Sequence, residues 1–306
     1  MYDVITIGGA TVDIYAMSDS LQIKDGIFGV PISSKSEISS GFITCGGGAT
    51  NAAVTFKKLG LKTSCLTLIG NDYFHHFIKN SLKKEGVDRR LMIKDPKSTT
   101  DYSIILVSQD GRRSVLVNRG KYDLEEKHIP WKKIVNTKWF YISSLSGNIN
   151  LLEKIVGFAK ENKIKIALNP GGRELAKRDQ LIHLLRHVDF LSLNKEEAEM
   201  LCKKTFENKS FWPTITSYKP KIIAITNGRD GAYIHYNEQI FYSPIIKVKT
   251  VDETGAGDAF GSAFTAGIIH GIAPKDSLVW GIRNAASVVS YLGAKNKILT
   301  LKEIRN

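Results

Sequence analysis

The sequence predicts an α/β protein with a mainly parallel central sheet, helices on both faces and a small β lid. Three observations carry that expectation. Short apolar runs alternate with amphipathic helical patterns along nearly the whole chain, most of the runs are apolar on both faces, and two segments (about 13–44 and 97–119) break the alternation. Strands apolar on both faces belong in a parallel sheet covered by helices, and a repeated strand–helix order is that of a doubly wound layer structure. With no solenoid-length repeat or low-complexity tract, the pattern reads as a single domain over residues 1–306.

In order along the chain, Val4–Ile7 reads as a buried strand. Ala49–Leu59, Tyr73–Glu85, Leu151–Asn162 and Leu181–His187 carry helical periodicity, whereas Ser64–Ile69, Trp139–Ile142, Ile164–Leu168, Phe190–Leu193 and Ile222–Thr226 are short apolar runs of strand length. Between Asp13 and Thr44 no helix is predicted; Gly, Pro and Ser mix with short alternating runs such as Lys35–Ile43. DYSIILVSQ and RRSVLVNRG flank Asp110-Gly111, a dipeptide that favours a tight hairpin. Antiparallel strands set into an α/β core predict a small sheet off one edge, either a lid over a ligand site or, more plainly, an edge extension or dimer interface.

Composition narrows the class. The chain is 42% hydrophobic and 24% charged, the balance of a soluble globular protein, and no stretch approaches the ~20 apolar residues that span a bilayer. MYDVITIGGATVD opens on a strand pattern and lacks the order of regions of a secretory signal. Cys45, Cys65 and Cys202 are odd in number and widely spaced, which fits a reducing cytoplasm and neither a disulfide frame nor a zinc site. The net charge of +13 comes mainly as scattered doublets such as Lys57-Lys58, Arg89-Arg90 and Arg112-Arg113. These read as a solvated surface and argue against a nucleic-acid partner, although the field would draw in an anionic substrate.

The chemistry is expected near the C-terminus, in TVDETGAGDAFGSAFTAGIIHG from Thr250 to Gly271. Gly255, Ala256 and Gly257 precede Asp258, and a helix of small residues follows. The first N–H groups of a helix lack internal partners and carry the positive end of its dipole, so a bare backbone there holds anions. An Asp at that mouth repels phosphate, but it can accept a hydroxyl proton during phosphoryl transfer; the plainer reading is a helix N-cap. Upstream, CGGGATNAAVTFKKLG places Gly46–Gly48 before a helix with Asn51 in its first turn. There the amide could serve a polyhydroxylated ligand or merely cap. Asp13 follows the first strand, where ligands bind in open α/β sheets. Gly8-Gly9-Ala10-Thr11-Val12-Asp13 fails as a dinucleotide fingerprint, lacking the GxGxxG spacing and a following helix, and the absence of GxxxxGK[ST] excludes an ordinary P-loop kinase. His183 and His187 have the i,i+4 spacing of a metal pair but no third ligand in view.

Gly47-Gly48…Asn51…Gly60…Gly70 and Asp252…Gly255-Ala256-Gly257-Asp258 resemble the two signatures of the ribokinase-like (PfkB) carbohydrate kinases, with nine residues between Gly60 and Gly70. One position departs: Glu253 stands where small or β-branched residues are usual. The resemblance covers essentially the full chain and implies a ribokinase-like fold and transfer of the γ-phosphoryl of ATP to a hydroxyl. It implies Asp258 as general base and Gly255, Ala256 and Gly257 as the anion hole. Asp13, Gly47, Gly48 and Asn51 would hold the acceptor. Asn194 with Glu197 resembles the NxxE element, Glu197 organising Mg²⁺ through water, although the same residues also read as a capped helix start. Thr226, Gly228 and Gly231 would line the nucleotide, Asn284 would neighbour adenine, and Asp252 and Thr254 would bind K⁺. The acceptor is a sugar or sugar derivative, or alternatively a nucleoside. A non-catalytic nucleic-acid-associated protein is the rival from another class, and an intact Asp258 speaks against it.

Overall fold

A computed structural model describes residues 1–25, 27–30, 32–108, 112–120 and 123–306. The chain opens with β1 (Tyr2–Ile7), turns into β2 (Thr11–Met17), and passes a short antiparallel pair, β3 (Gln22–Lys24) and β4 (Ile27–Gly29), before β5 (Ser40–Gly46). Helix α1 (Gly48–Lys58) follows, then β6 (Thr63–Leu66), β7 (Leu68–Ile69), α2 (Tyr73–Lys84) and β8 (Ile93–Lys94). β9 (Asp101–Val107) and β10 (Arg113–Asn118) pair antiparallel as the sequence predicts. The Asp110-Gly111 turn expected between them lies outside the described residues.

The second half alternates: α3 (Trp131–Ile134), β11 (Thr137–Ile142), α4 (Ile149–Glu161), β12 (Lys165–Leu168), α5 (Gly172–Leu175), α6 (Arg178–Leu185), β13 (Phe190–Asn194), α7 (Lys195–Cys202), α8 (Phe211–Thr216), β14 (Ile222–Thr226). It ends with β15 (Ala232–Tyr236), β16 (Gln239–Ser243), α9 (Ala256–Ile269), α10 (Pro274–Val289) and α11 (Leu301–Arg305). Local signals set several boundaries. Asp72 and Asn148 accept the N3 amides of α2 and α4, and Pro274 opens α10, where its missing N–H costs nothing.

Eight strands form the main sheet in the order β16-β15-β14-β13-β12-β11-β1-β6. All pairs from β6 to β14 are parallel, and β15 and β16 add an antiparallel edge. Alternation along each strand divides the core. Ile5, Ile7, Phe140, Ile142, Ile223 and Ile225 face α4 to α8, while Val4, Trp139, Tyr141 and Ala224 face α1, α9, α10 and α11. The second sheet, β10-β9-β2-β5, stands apart and packs through Val12 and Cys45 on Ala49, Ala53 and Ile78 of α1 and α2.

Two expectations are corrected. Ser64–Ile69 is not one strand: the Thr67 carbonyl accepts Ile93 N, so β6 stays in the main sheet while β7 leaves it to pair with β8. The helix expected over Leu181–His187 spans Arg178–Leu185, and His187 lies past its C-cap, Arg186. His183 and His187 therefore do not share a helical face, and no cluster of three metal-ligating side chains occurs among the described residues.

Candidate active site

The residues singled out in the two glycine-rich motifs converge because α1 packs beside α9. Helix α9 starts at Ala256 with Gly255 as N-cap, and the Asp258 carboxylate caps nothing. Instead its Oδ2 accepts a 2.8 Å hydrogen bond from Asn51 Nδ2. Burial pushes the Asp258 carboxyl above the ordinary carboxylate value, opposed by that bond and by the charge of Lys295. A carboxylate so placed is a stronger proton acceptor than a solvated Asp.

Gly255 adopts φ +79, a left-handed conformation that disfavours any side chain, and a Cβ there would collide with Ala294. The turn presents the start of the helix. The amides of Gly255, Gly257 and Asp258 have no hydrogen-bond partner among the described residues, and a Cβ on Gly257 would meet nothing within 4 Å. Ala256 differs from expectation: its N–H already donates to the Glu253 carbonyl at 3.2 Å, which narrows the free amides to its neighbours.

Gly47 is the N-cap of α1 at φ +92, held against the backbone of Gly9 and Ala10. A Cβ on Gly48 would lie 2.8 Å from Ser143 Cβ and 3.2 Å from Asp258 Oδ1, so the missing side chain is what lets the carboxylate in. Asn51 is 5% exposed, and its Oδ1 has no partner among the described residues. Asp13 sits on β2, 7% exposed, accepting Thr11 Oγ1 at 3.1 Å. Burial raises its carboxyl against the hydrogen bonds of Thr11 and Ser103 and the charge of Lys295.

On the other side, Asn194 and Thr226 end neighbouring strands and are register partners. Both lie at the carboxyl ends of parallel strands, the edge where open sheets take ligands. Gly228 and Gly231 bound the turn between β14 and β15, where a Cβ on Gly231 would collide with Ser243 O. Asn194 and Glu197 form a capping box: Asn194 Oδ1 accepts Glu197 N at 2.7 Å and Glu197 Oε2 accepts Asn194 N at 2.9 Å. The helix-start reading thus holds, and it leaves Glu197 Oε1 for other use. Burial, together with the charges of Glu196 and Asp258, raises the Glu197 carboxyl against the Asn194 bond. Asn284 sits apart. It is fully buried, its Nδ2 donates to Ala259 O and its Oδ1 accepts Leu299 N, so it joins α9 to the C-terminal segment and has no exposed surface to offer a nucleotide.

Asp252 and Thr254 lie in the loop before α9. Asp252 Oδ1 accepts Thr254 N at 2.9 Å and an ion pair from Arg113, and Oδ2 accepts Tyr15 OH and Gly293 N at 2.9 Å each. A carboxylate offers about four lone-pair directions, and here every one is taken. These residues do not fit a potassium ion.

Four participants escaped the sequence reading. Lys295, 9% exposed, donates to Cys45 O at 2.5 Å and Thr50 Oγ1 at 2.8 Å, anchoring the C-terminal loop to the Gly46–Gly48 run. Glu174, 1% exposed, gathers the amides of Leu145, Gly147 and Gly171 and so shapes the loop after Ser143. Tyr141 OH is buried beside Asp258, and Arg113 belongs to a doublet taken as surface. Nothing periodic marks them; each acts across the fold.

The sequence pattern of the pfkB family carbohydrate kinases matches residues 1–301. The chain belongs to that family. As a pfkB kinase it is similar to the ribokinase of Lactococcus lactis, 27% identical over 264 residues that cover 85% of this chain and 84% of the relative. The ribokinase fold recurs in the solved ribokinase of Arabidopsis thaliana complexed with ribose and ATP (TM-score 0.81, 20% identity, 99% of this chain and 97% of that one). It recurs equally in the nucleoside kinase of Methanocaldococcus jannaschii (TM-score 0.80, 22% identity, again 99% and 97%).

Proposed function

We propose that this pfkB kinase moves the γ-phosphoryl group of ATP to a hydroxyl of a free sugar or sugar derivative, with Asp258 as general base. The observation that carries this is the buried Asp258 carboxylate, held by Asn51 beside the amides of Gly255 and Gly257, which have no partner among the described residues. Asp258 accepts the hydroxyl proton as the oxygen attacks, and the amides offset charge on the transferred group in line with it. The acceptor lies against Gly47 and Gly48, its hydroxyls donating to Asp13 and to the unpartnered Asn51 Oδ1. ATP lies over Thr226, Gly228, Gly231 and Asn194. Mg²⁺ fits the free oxygen of Glu197, reached through water because the ion sheds its own waters reluctantly; bound there, it would offset phosphate charge.

A free sugar is favoured over a nucleoside by what surrounds Asp13: Thr11 and Ser103 are hydrogen-bonding groups. A base would need an open aromatic face on the lid, and one face of Phe42 is taken by Tyr15, 4.4 Å away between centroids. The sheet of β2, β5, β9 and β10 acts as the lid that excludes water. Ile43 and Leu116, each at least half exposed and in one row across the sheet, support a homodimer formed through the lid, which sedimentation of the purified protein would reveal. No described helix is long and apolar enough to cross a membrane. The three buried free thiols support a cytoplasmic setting.

A coupled ATP-turnover screen over sugars, sugar acids and nucleosides tests the reading, with Asp258→Asn beside the wild type. Turnover with a sugar that falls by about 10²–10⁴-fold in the variant is expected. Turnover with nucleosides alone would move the acceptor. No ATP consumption, with salt-sensitive retention of DNA or RNA, would remove the kinase reading.

A further inference from the structure

The family resemblance implies a monovalent cation beside Asp252. We infer that in this chain the lid itself supplies that charge: the Arg113 guanidinium takes the ion's place, and phosphoryl transfer needs no potassium.

Three observations support the inference. The Asp252 side chain is 2% exposed, a depth at which an ionised carboxylate demands compensation. Thr254 N, Gly293 N and Tyr15 OH all donate to this carboxylate, a set of donors that suits the ionised form. The positive charge that meets it is Arg113, which forms its ion pair from β10, where its backbone is registered against Val107. With Thr254 N, Tyr15 OH and Gly293 N filling the remaining lone pairs, a potassium ion would have to displace a protein donor and sit beside a guanidinium of like charge. Arg suits this place because it stays protonated and its planar donors match a carboxylate.

The arrangement also couples lid to anion hole. Thr254 N bonded to Asp252 sets the turn that delivers Gly255 in its left-handed conformation. Arg113 is therefore a positioning residue: it neutralises Asp252, Asp252 fixes the turn, and the turn aims the Gly255 and Gly257 amides.

The test compares KCl with tetramethylammonium chloride at constant ionic strength, reading both ATP turnover and the melting temperature of the ligand-free protein. Wild type should turn over and melt alike in the two salts. Arg113→Gln should lose about 10- to 100-fold in kcat, the scale of one charge-assisted hydrogen bond. Potassium should then restore part of that rate and raise the variant's melting temperature, while Arg113→Lys should keep the indifference of the wild type. A wild type that melts higher or turns over faster in KCl overturns the inference, as does an Arg113→Gln variant at full rate without potassium. The inference deepens the kinase reading, but the melting comparison needs no substrate. A protein that turned over nothing would sink that reading and still answer the cation question.

Discussion

Gly255 and Gly257 are two positions apart and do different work, which substitution can separate. A Cβ at Gly255 collides with Ala294 and would sit at positive φ, so Gly255→Ala should lower both the melting temperature and activity. A Cβ at Gly257 meets nothing within 4 Å among the described residues; Gly257→Ala should melt like wild type and yet lose turnover, because the methyl blocks a phosphate from bare backbone. The Asp258 carboxyl gives a second separation. Its folded pKa lies above the unfolded value, so ionising it costs stability at neutral pH, and the cost vanishes as pH falls below the ordinary carboxylate range. Asp258→Asn should therefore be at least as stable as wild type at pH 7, its advantage fading in acid. The acid limb of kcat/KM in the wild type should fall at a pH above that of a solvated Asp.

At the scale of elements, α9 shows why a correct motif can mislead in its details. Its run of Gly and Ala reads as backbone bared for a ligand, and only the first turn serves that end. Further along, a Cβ on Gly261 would crowd Tyr141 OH at 2.7 Å and one on Gly267 would crowd Ser277 Oγ at 2.5 Å, so the stripe lets α9 lie close to β11 and α10. A Cβ on Gly281 of α10 would lie 2.7 Å from the Phe260 ring, and Gly281→Ala should destabilise by about 1–3 kcal/mol in denaturant unfolding through overpacking. Helix α7 teaches the converse: the capping box and the metal reading of Asn194–Glu197 are compatible, since the cap uses only one Glu197 oxygen. Helix and strand positions were legible wherever periodicity was strong. The break at Thr67 was not, because it depends on where β8 passes.

For the whole molecule, the two sheets meet at the proposed site. β2 brings Asp13 and Tyr15, β10 brings Arg113, and the main sheet and its helices bring Asn51, Asn194 and Asp258. The net charge of +13 acts at this scale too. Raising salt from about 0.05 to 0.5 M shortens the screening length from roughly 14 to 4 Å. The KM for ATP should then rise while kcat holds, because the Asp258 geometry is local and buried; an unchanged KM would mean the surface charge plays no part in nucleotide capture.

The chain alone determined the α/β layering, the inserted lid strands, the two glycine motifs and Asp258 as the group to watch, because periodicity, turn chemistry and motif spacing are local properties. Tertiary structure decided what each group touches. It gave Asp258 an amide partner in place of a capping role, committed Asn284 to the protein interior, took one amide from the expected anion hole, and set Arg113 against a carboxylate far away in sequence. Those outcomes depend on burial and on which lone pairs neighbours have already filled, and neither is written in the order of residues.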